Sequence, residues 1–96
     1  MLEKDIENYL TRKVKSINGL CLKFTSPSNA GVPDRVILYK GRVIFVELKA
    51  PGKKPRALQQ YWQKEIRKQG IGCLVIDSKE DVETFIDKLR SGELYD

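Results

Sequence analysis

Two segments rich in β-branched and apolar residues, 34–39 and 42–49, are separated only by Lys40-Gly41. This connection is long enough for a tight turn and too short for a crossover, so the segments predict an antiparallel β-hairpin. Because side chains alternate between the two faces of a strand, the register of the hairpin decides which polar residues lie together. The hairpin therefore restricts both the fold and the position of any site.

Acidic residues occupy matching positions on the two predicted strands. A turn at Lys40-Gly41 sets Asp34 opposite Glu47, with Cβ atoms roughly 5 Å apart. Two unscreened carboxylates at that distance destabilise a sheet, so we expect a positive group between them. Lys49 shares the face of Glu47, whereas Leu48 points to the other face. A three-residue loop would instead shift the register by one residue and separate the two acids.

The remaining patterns predict three helices and two further strands. Apolar residues at helical spacing define a first helix that Asn18-Gly19 ends, a second that Gly70 ends, and a third that Ser78 caps. Segments 20–24 and 73–76 predict the other strands. The expected fold class is α/β in the order α-β-β-β-α-β-α, with a mixed sheet flanked by helices, because an intervening helix makes the last two strands parallel. The predicted inner face of the second helix consists of Leu58, Trp62 and Ile66.

Size and composition limit the function. With 96 residues we expect one domain spanning 1–96, and 18 basic against 13 acidic side chains, a net charge of +5, favour an anionic partner such as nucleic acid. The absence of histidine excludes Ser-His-Asp triads and zinc-histidine sites within the chain. Cys21 and Cys73 are expected to be buried free thiols, because they lack metal-site spacing. A charged start and short apolar runs predict a cytoplasmic protein that does not enter a membrane.

Without histidine, the candidate chemistry relies on carboxylates and lysine. Mg²⁺ takes octahedral oxygen ligands from one or two carboxylates and several waters, so Asp34, Glu47 and the backbone carbonyl of Leu48 are candidate ligands. The Lys49 ammonium can hold or help deprotonate an attacking water, or offset negative charge in a phosphoryl transition state. Three cations of the following loop are the candidate phosphate contacts: Lys53, Lys54 and Arg56.

Three motifs in this order resemble a known nuclease family. They are Gly31-Val32-Pro33-Asp34, Phe45-Val46-Glu47-Leu48-Lys49 and Leu58-Gln59-Gln60-Tyr61-Trp62. Over nearly the whole chain they resemble the virus-type replication-repair nuclease (VRR-Nuc) family of the PD-(D/E)XK superfamily. The resemblance implies a restriction-endonuclease-like core, in agreement with the predicted element order. It also implies a metal-dependent DNA endonuclease that uses Mg²⁺ or Mn²⁺.

The resemblance implies roles for individual residues. The implied catalytic set consists of Glu3, Asp34, Glu47, Lys49 and Gln59. Within it, Gln59 is a helper from the second helix, and Glu3 is a first-helix acid that is also a candidate metal ligand. Glu3 fits the family spacing better than Glu7, which stays an alternative because it lies one helical turn further on. The loop before Asp34 is expected to contact DNA through Ser26 and Ser28.

The resemblance also suggests the substrate and the assembly. Short, stand-alone members of the family imply cleavage of branched double-stranded DNA, Holliday junctions in particular, in repair and recombination. A chain with one site needs a second subunit to cut two strands, so we expect a homodimer with a two-fold axis. The expected compartment is the cytoplasm of a bacterial or phage-infected cell.

Simpler interpretations of the same residues stay open. Asp34 could cap a turn, while Glu47 and Lys49 could face solvent between apolar neighbours. Gln59 could lie on an exposed helix surface, and Glu3 could only complement the positive end of its helix. The chain would then be a non-catalytic basic module that binds nucleic acid, or an adaptor for an acidic protein. The complete set of two acids and a lysine favours catalysis.

Overall fold

The computed structural model describes residues 1–92, and every structural statement below refers to these residues. Three helices and four strands follow in the predicted order. They are α1 (Glu3–Ser16), β1 (Leu20–Lys23), β2 (Arg35–Tyr39), β3 (Arg42–Leu48), α2 (Ala57–Lys68), β4 (Gly72–Ile76) and α3 (Lys79–Ser91). The α/β fold class is confirmed, and each strand end lies within one residue of its predicted position.

The strands form one mixed sheet in the order β1-β2-β3-β4. The first three strands are antiparallel neighbours, and β3 and β4 are parallel, as predicted. The hairpin turn has positive φ at both central residues, 47° at Lys40 and 80° at Gly41, which is the requirement of a type I′ turn. Tyr39 pairs with Arg42 and Arg35 pairs with Val46, so the predicted register is confirmed.

Helices α1 and α3 pack on one face of the sheet and form the core with it. Ser78 caps α3, because its Oγ accepts a hydrogen bond from the backbone N–H of Asp81 at 3.0 Å. Leu2, the residue before α1, is exposed. The buried residues of the two helices are Ile6, Leu10, Val14, Val82, Phe85, Ile86 and Leu89.

Helix α2 packs on the opposite face of the sheet, against β4. Its predicted inner face is wrong at Leu58, which is 49% exposed, while Trp62 and Ile66 are only half-buried. The buried side chains of α2 are instead the amides of Gln59 and Gln63. Polar side chains of this helix are therefore buried in place of apolar ones. For Gln59 the reason is a hydrogen bond to Glu47.

The two cysteines are free thiols, as expected, although only Cys73 is buried and Cys21 is half-buried. Burial raises the pKa of the Cys73 thiol to about 11, so this side chain stays protonated and unreactive near neutral pH. In the described part of the chain, no helix combines the length and the hydropathy needed to cross a membrane.

Candidate active site

The candidate site lies at the end of the sheet where β2 begins and β3 ends. Asp34 directly precedes β2, and its carbonyl accepts a hydrogen bond from the N–H of Phe24 at 2.9 Å. The register of the hairpin, continued by one residue, sets Asp34 opposite Glu47. The Asp34 Oδ2 atom accepts the N–H of Leu48 at 2.9 Å. The turn at the far end of the hairpin thus brings the two acids together.

Glu47 is a buried acid, with 2% of its surface exposed. Its Oε2 accepts a hydrogen bond from Gln59 Nε2 at 2.9 Å and lies 3.6 Å from Lys49 Nζ. Its Oε1 is buried without a hydrogen-bond partner among the described residues. Because Glu47 is buried, the alternative that it is a solvent-facing strand residue is wrong. Burying a carboxylate oxygen without a partner is costly.

The electrostatics of the site are dominated by negative charge. Burial and the neighbouring Asp34 carboxylate raise the pKa of Glu47 to about 7, while Lys49 acts in the opposite direction. One ammonium therefore does not neutralise two close acids. A further cation at this point would favour the ionised form of Glu47.

Gln59 joins the site to the start of α2. Its Oε1 accepts the backbone N–H of Arg56 at 2.8 Å, which leaves Nε2 to face Glu47. The side chain therefore satisfies a helix N-terminal N–H and a buried carboxylate at once. The alternative that Gln59 is an exposed surface residue is wrong, since it is 8% exposed.

The two first-helix acids differ in their surroundings. Glu3 is exposed in the first turn of α1, and the described side chains that interact with Glu47 are those of Asp34, Lys49 and Gln59. Glu7 is half-buried, and its Oε2 lies 2.9 Å from Nε of Arg35, the residue after Asp34. The structure thus links Glu7 to the strand that follows Asp34. The assignment of a catalytic role to Glu3 or Glu7 stays a prediction.

The predicted DNA contacts lie on two loops. In residues 25–33, Ser28 is exposed, and Ser26 Oγ accepts a hydrogen bond from Asn29 Nδ2 at 2.9 Å. The loop between β3 and α2 is anchored by a hydrogen bond of 3.4 Å from Gly52 N–H to Asp77 Oδ2. The three candidate cations on that loop are exposed: Lys53, Lys54 and Arg56. Contact of these residues with DNA stays a prediction.

Comparisons with known proteins find similar chains, although no protein-family model matches the chain. The chain is 42% identical over 79 residues to "Putative nuclease p44" of Acyrthosiphon pisum secondary endosymbiont phage 1, covering 81% of this chain and 85% of that protein. A solved structure described as a VRR_NUC domain superposes with a TM-score of 0.83 at 26% identity, covering 91% of this chain and 97% of the other. The chain belongs to the VRR-Nuc family.

The ligand set of this VRR-Nuc site fits Mg²⁺ or Mn²⁺. Within residues 1–92, no three His, Cys, Asp or Glu side chains come together as a metal-binding group. The site offers the carboxylates of Asp34 and Glu47, and the free Oε1 of Glu47 is a ready acceptor. Two carboxylates completed by waters are the usual protein contribution to a magnesium site, whereas structural zinc requires four protein ligands.

One contact near the site was not predicted from the sequence. Trp62 Nε1 donates a hydrogen bond to the carbonyl of Ala30 at 2.9 Å, which ties α2 to the loop before Asp34. The only sequence signal was the spacing of Gln59 and Trp62, which places both on one side of a helix. Gln63 is also buried with its Nε2 unpartnered among the described residues, and the sequence carries no signal for it.

Proposed function

We propose that this VRR-Nuc protein is a metal-dependent, structure-selective endonuclease that hydrolyses phosphodiester bonds in branched double-stranded DNA. The observation that carries the proposal is the buried Glu47, whose Oε1 has no hydrogen-bond partner in the described residues and whose neighbours are Asp34 and Lys49. Buried polar atoms normally have a hydrogen-bond partner, so a buried carboxylate oxygen without one indicates a functional site. The relationship to a phage protein named a nuclease supports the same conclusion.

Asp34 and Glu47 would hold Mg²⁺ or Mn²⁺. The N–H and C=O of one strand residue project towards the same neighbouring strand. Since the Leu48 N–H donates to Asp34, the Leu48 carbonyl also faces the Asp34 side of the strand. This carbonyl would be a third oxygen ligand. Glu3 is the fourth candidate ligand, carried over from the family pattern. When bound, the ion supplies a Lewis acid for the phosphoryl oxygen and lowers the pKa of water.

Other side chains would assist catalysis and bind the DNA. The Lys49 ammonium lies beside the Glu47 carboxylate and so next to the proposed position of the reacting phosphate. There the ammonium would orient the attacking water and offset the negative charge that develops in the transition state. Gln59 fixes the Glu47 carboxylate in one orientation. Ser26, Ser28 and the basic loop cations would bind the flanking phosphates and position the DNA.

We further propose a homodimer, which would present two such sites to the two strands of a Holliday junction. Part of the sheet face that α2 leaves uncovered is apolar, and its exposed members are Leu20, Leu22 and Val43. These residues lie on neighbouring rows of β1 and β3, on the face of Phe45 and Glu47. A contiguous apolar sheet face of this kind is typical of a protein contact, and a two-fold axis makes it self-complementary.

Sedimentation analysis tests the homodimer. Leu22→Lys should convert a dimer to a monomer. Leu2→Lys changes a leucine that is also exposed but lies just before α1, and it should leave the dimer intact. A wild-type protein that sediments as a monomer at the concentrations used for cleavage would refute the dimer and leave the nuclease proposal untouched.

Cleavage assays test the enzyme itself. Labelled four-way junctions, flaps, splayed arms and duplexes are incubated with Mg²⁺ or Mn²⁺, and junction cleavage is expected to dominate. Asp34→Ala, Glu47→Ala and Lys49→Ala should each abolish cutting while circular dichroism shows a retained fold. If no substrate is cut, or if the variants still cut, the proposal fails. Salt-sensitive DNA binding that needs no divalent ion and survives the loss of both acids would instead identify a non-catalytic binding module.

The proposed place of action is the cytoplasm of a bacterial cell, in repair or recombination of DNA. The relative p44 comes from a phage, which replicates inside such a cell. We further propose that residues 1–96 act as one nuclease domain, because the core and the candidate site are built from the same strands.

A further inference from the structure

Asp34 follows an irregular loop, so its position is not fixed by strand pairing alone. The loop, residues 25–33, connects β1 to β2 and is closed at its ends by the hydrogen bond from Phe24 N–H to Asp34 O. Inside it, Asn29 N–H donates to Ser26 O at 3.0 Å. These bonds shape the loop itself, and a separate contact is needed to hold it against the rest of the molecule.

Helix α2 supplies that contact at two adjacent points of the loop. Trp62 Nε1 donates to the carbonyl of Ala30 at 2.9 Å. Gly31 has φ of +90°, and a Cβ there would lie 2.8 Å from Leu58 Cγ, so the loop backbone rests directly on the first turn of α2. Leu58 and Trp62 are four residues apart and lie on one side of the helix. The loop is therefore fastened to α2 three residues before Asp34.

The same part of α2 also holds the second acid. Gln59, between Leu58 and Trp62 in sequence, donates to Glu47. The first two turns of one helix thus contact both acid-bearing segments, Glu47 directly and Asp34 through Ala30 and Gly31. Because a helix is stiff over two turns, these contacts tie both acid-bearing segments to one rigid element.

We propose that Trp62 is a positioning residue that fixes Asp34 against Glu47 through its hydrogen bond to Ala30. This inference rests on the proposed function only in its consequence for metal binding and catalysis. Its structural part concerns the hydrogen bond from Leu48 N–H to Asp34 Oδ2. When Trp62 loses its donor, the loop moves away from α2 and this bond weakens.

Hydrogen exchange of single backbone amides, measured by NMR on the metal-free protein, tests the structural part. Trp62→Phe removes the donor and keeps an aromatic ring. The Leu48 amide should then exchange about five-fold faster, the equivalent of one ordinary hydrogen bond. The Arg56 amide, which donates to Gln59 Oε1, is the internal control and should keep its rate. Tyr61→Phe, a change in the adjacent ring that packs edge-on against Trp62, should alter neither amide.

A second variant separates loss of the donor from loss of volume. Trp62 is the only tryptophan of the chain, so its replacement by benzothienylalanine changes one N–H to sulfur and keeps the shape of the ring system. Faster exchange at Leu48 in this variant supports the proposal. Unchanged exchange at Leu48 in the benzothienylalanine variant overturns the proposal, whatever the rate in Trp62→Phe. Equal acceleration at Leu48 and Arg56 also overturns it, because it would mean that α2 as a whole has loosened.

Metal titration gives the functional readout. Calorimetry with Mn²⁺ should show about ten-fold weaker binding in Trp62→Phe than in Tyr61→Phe, a loss typical of residues that orient ligands. In cleavage, kcat should fall by a larger factor than KM for DNA rises, because the cations of the other loop, Lys53, Lys54 and Arg56, are unchanged. Equal Mn²⁺ affinity in the two variants overturns the proposal. The amide experiment needs neither metal nor DNA, so a failure of the nuclease proposal would leave its result standing.

Discussion

Gln59 and Glu47 form a hydrogen bond of 2.9 Å from amide Nε2 to carboxylate Oε2, which joins the first turn of α2 to the C-terminal end of β3. Both side chains are buried, and the amide is held from behind by the N–H of Arg56. This pair explains why a polar residue occupies the inner face of α2. Helix α2 packs against the sheet with Gln59 inside, because the buried Glu47 carboxylate needs a hydrogen-bond donor.

Replacing Gln59 should damage both stability and catalysis. In Gln59→Ala, Glu47 loses its donor and Arg56 loses its acceptor, so unfolding free energy should fall by about 1–3 kcal/mol and kcat by about 10- to 100-fold. Gln60→Ala is the matched control, because that amide donates to Pro55 O on the exposed surface. Urea denaturation and single-turnover cleavage measure the two effects. A Gln59→Ala enzyme with the kinetics of Gln60→Ala would exclude a role for the contact.

The stability of the metal-free protein should fall as pH rises from about 5 to 8. The folded-state pKa of Glu47 is about 7, above its ordinary value of 4.5, so the folded protein binds more protons than the unfolded chain in this window. Linkage then removes stability as pH rises through the folded-state pKa, by up to about 3 kcal/mol. Urea denaturation in the presence of a chelator measures the slope.

Glu47→Gln should abolish this slope, because the amide does not titrate. The variant should match the wild type near pH 5 and exceed its stability by about 2 kcal/mol at pH 8. Glu65→Gln, which removes a half-buried acid paired with the exposed Lys68, should keep the wild-type slope. Parallel pH profiles for wild type and Glu47→Gln would show that Glu47 has an ordinary pKa.

Much of the fold could be predicted because the information is local. Lys40-Gly41 admits a tight turn, and that turn sets the register that places Asp34 opposite Glu47. The parallel pairing of β3 and β4 likewise follows from the helix between them. In each case a few neighbouring residues determine the geometry, and no distant contact competes with them.

The orientation of α2 could not be predicted in this way. The apolar pattern predicts that Leu58 points inward. The rotation of α2 is instead decided by the contact of Gln59 with Glu47, which lies on β3 and is distant from Leu58 in sequence. Periodicity measures the apolar face of a helix and carries no information about a buried acid that needs a donor. The choice between Glu3 and Glu7 has the same origin, because the pairing of Glu7 with Arg35 depends on how α1 lies on the sheet.

Metal binding should release protons in proportion to the protonated fraction of Glu47. With a pKa of about 7, this carboxyl is mostly protonated at pH 6 and must ionise to become a ligand. Calorimetry with Mn²⁺ in buffers of different ionisation enthalpy should therefore show about one proton released per site at pH 6 and about a tenth of that at pH 8. Asp34→Asn and Glu47→Gln should lose the binding signal. Proton release that does not change with pH would contradict ligation by Glu47.

The basic loop should contribute to DNA affinity without taking part in chemistry. Replacing Lys53, Lys54 and Arg56 together with alanine removes up to three phosphate contacts, so the slope of log affinity against log salt concentration should decrease by about 2 to 3. Binding should weaken for junction, flap and duplex alike, since phosphates are common to all of them. The backbone N–H of Arg56 still reaches Gln59 in this variant, so kcat at saturating DNA should hold.

Two cations on α2 provide the comparison for that loop. Lys64 and Lys68 are exposed, and Lys68 is paired with Glu65, so their joint replacement with alanine removes the same kind of charge from a helix surface. Fluorescence anisotropy across a salt series should show a wild-type slope for this double variant and a reduced slope for the loop variant. If both sets reduce the slope equally per charge, the protein attracts DNA through its net charge of +5 alone, and the loop has no special position beside the acids.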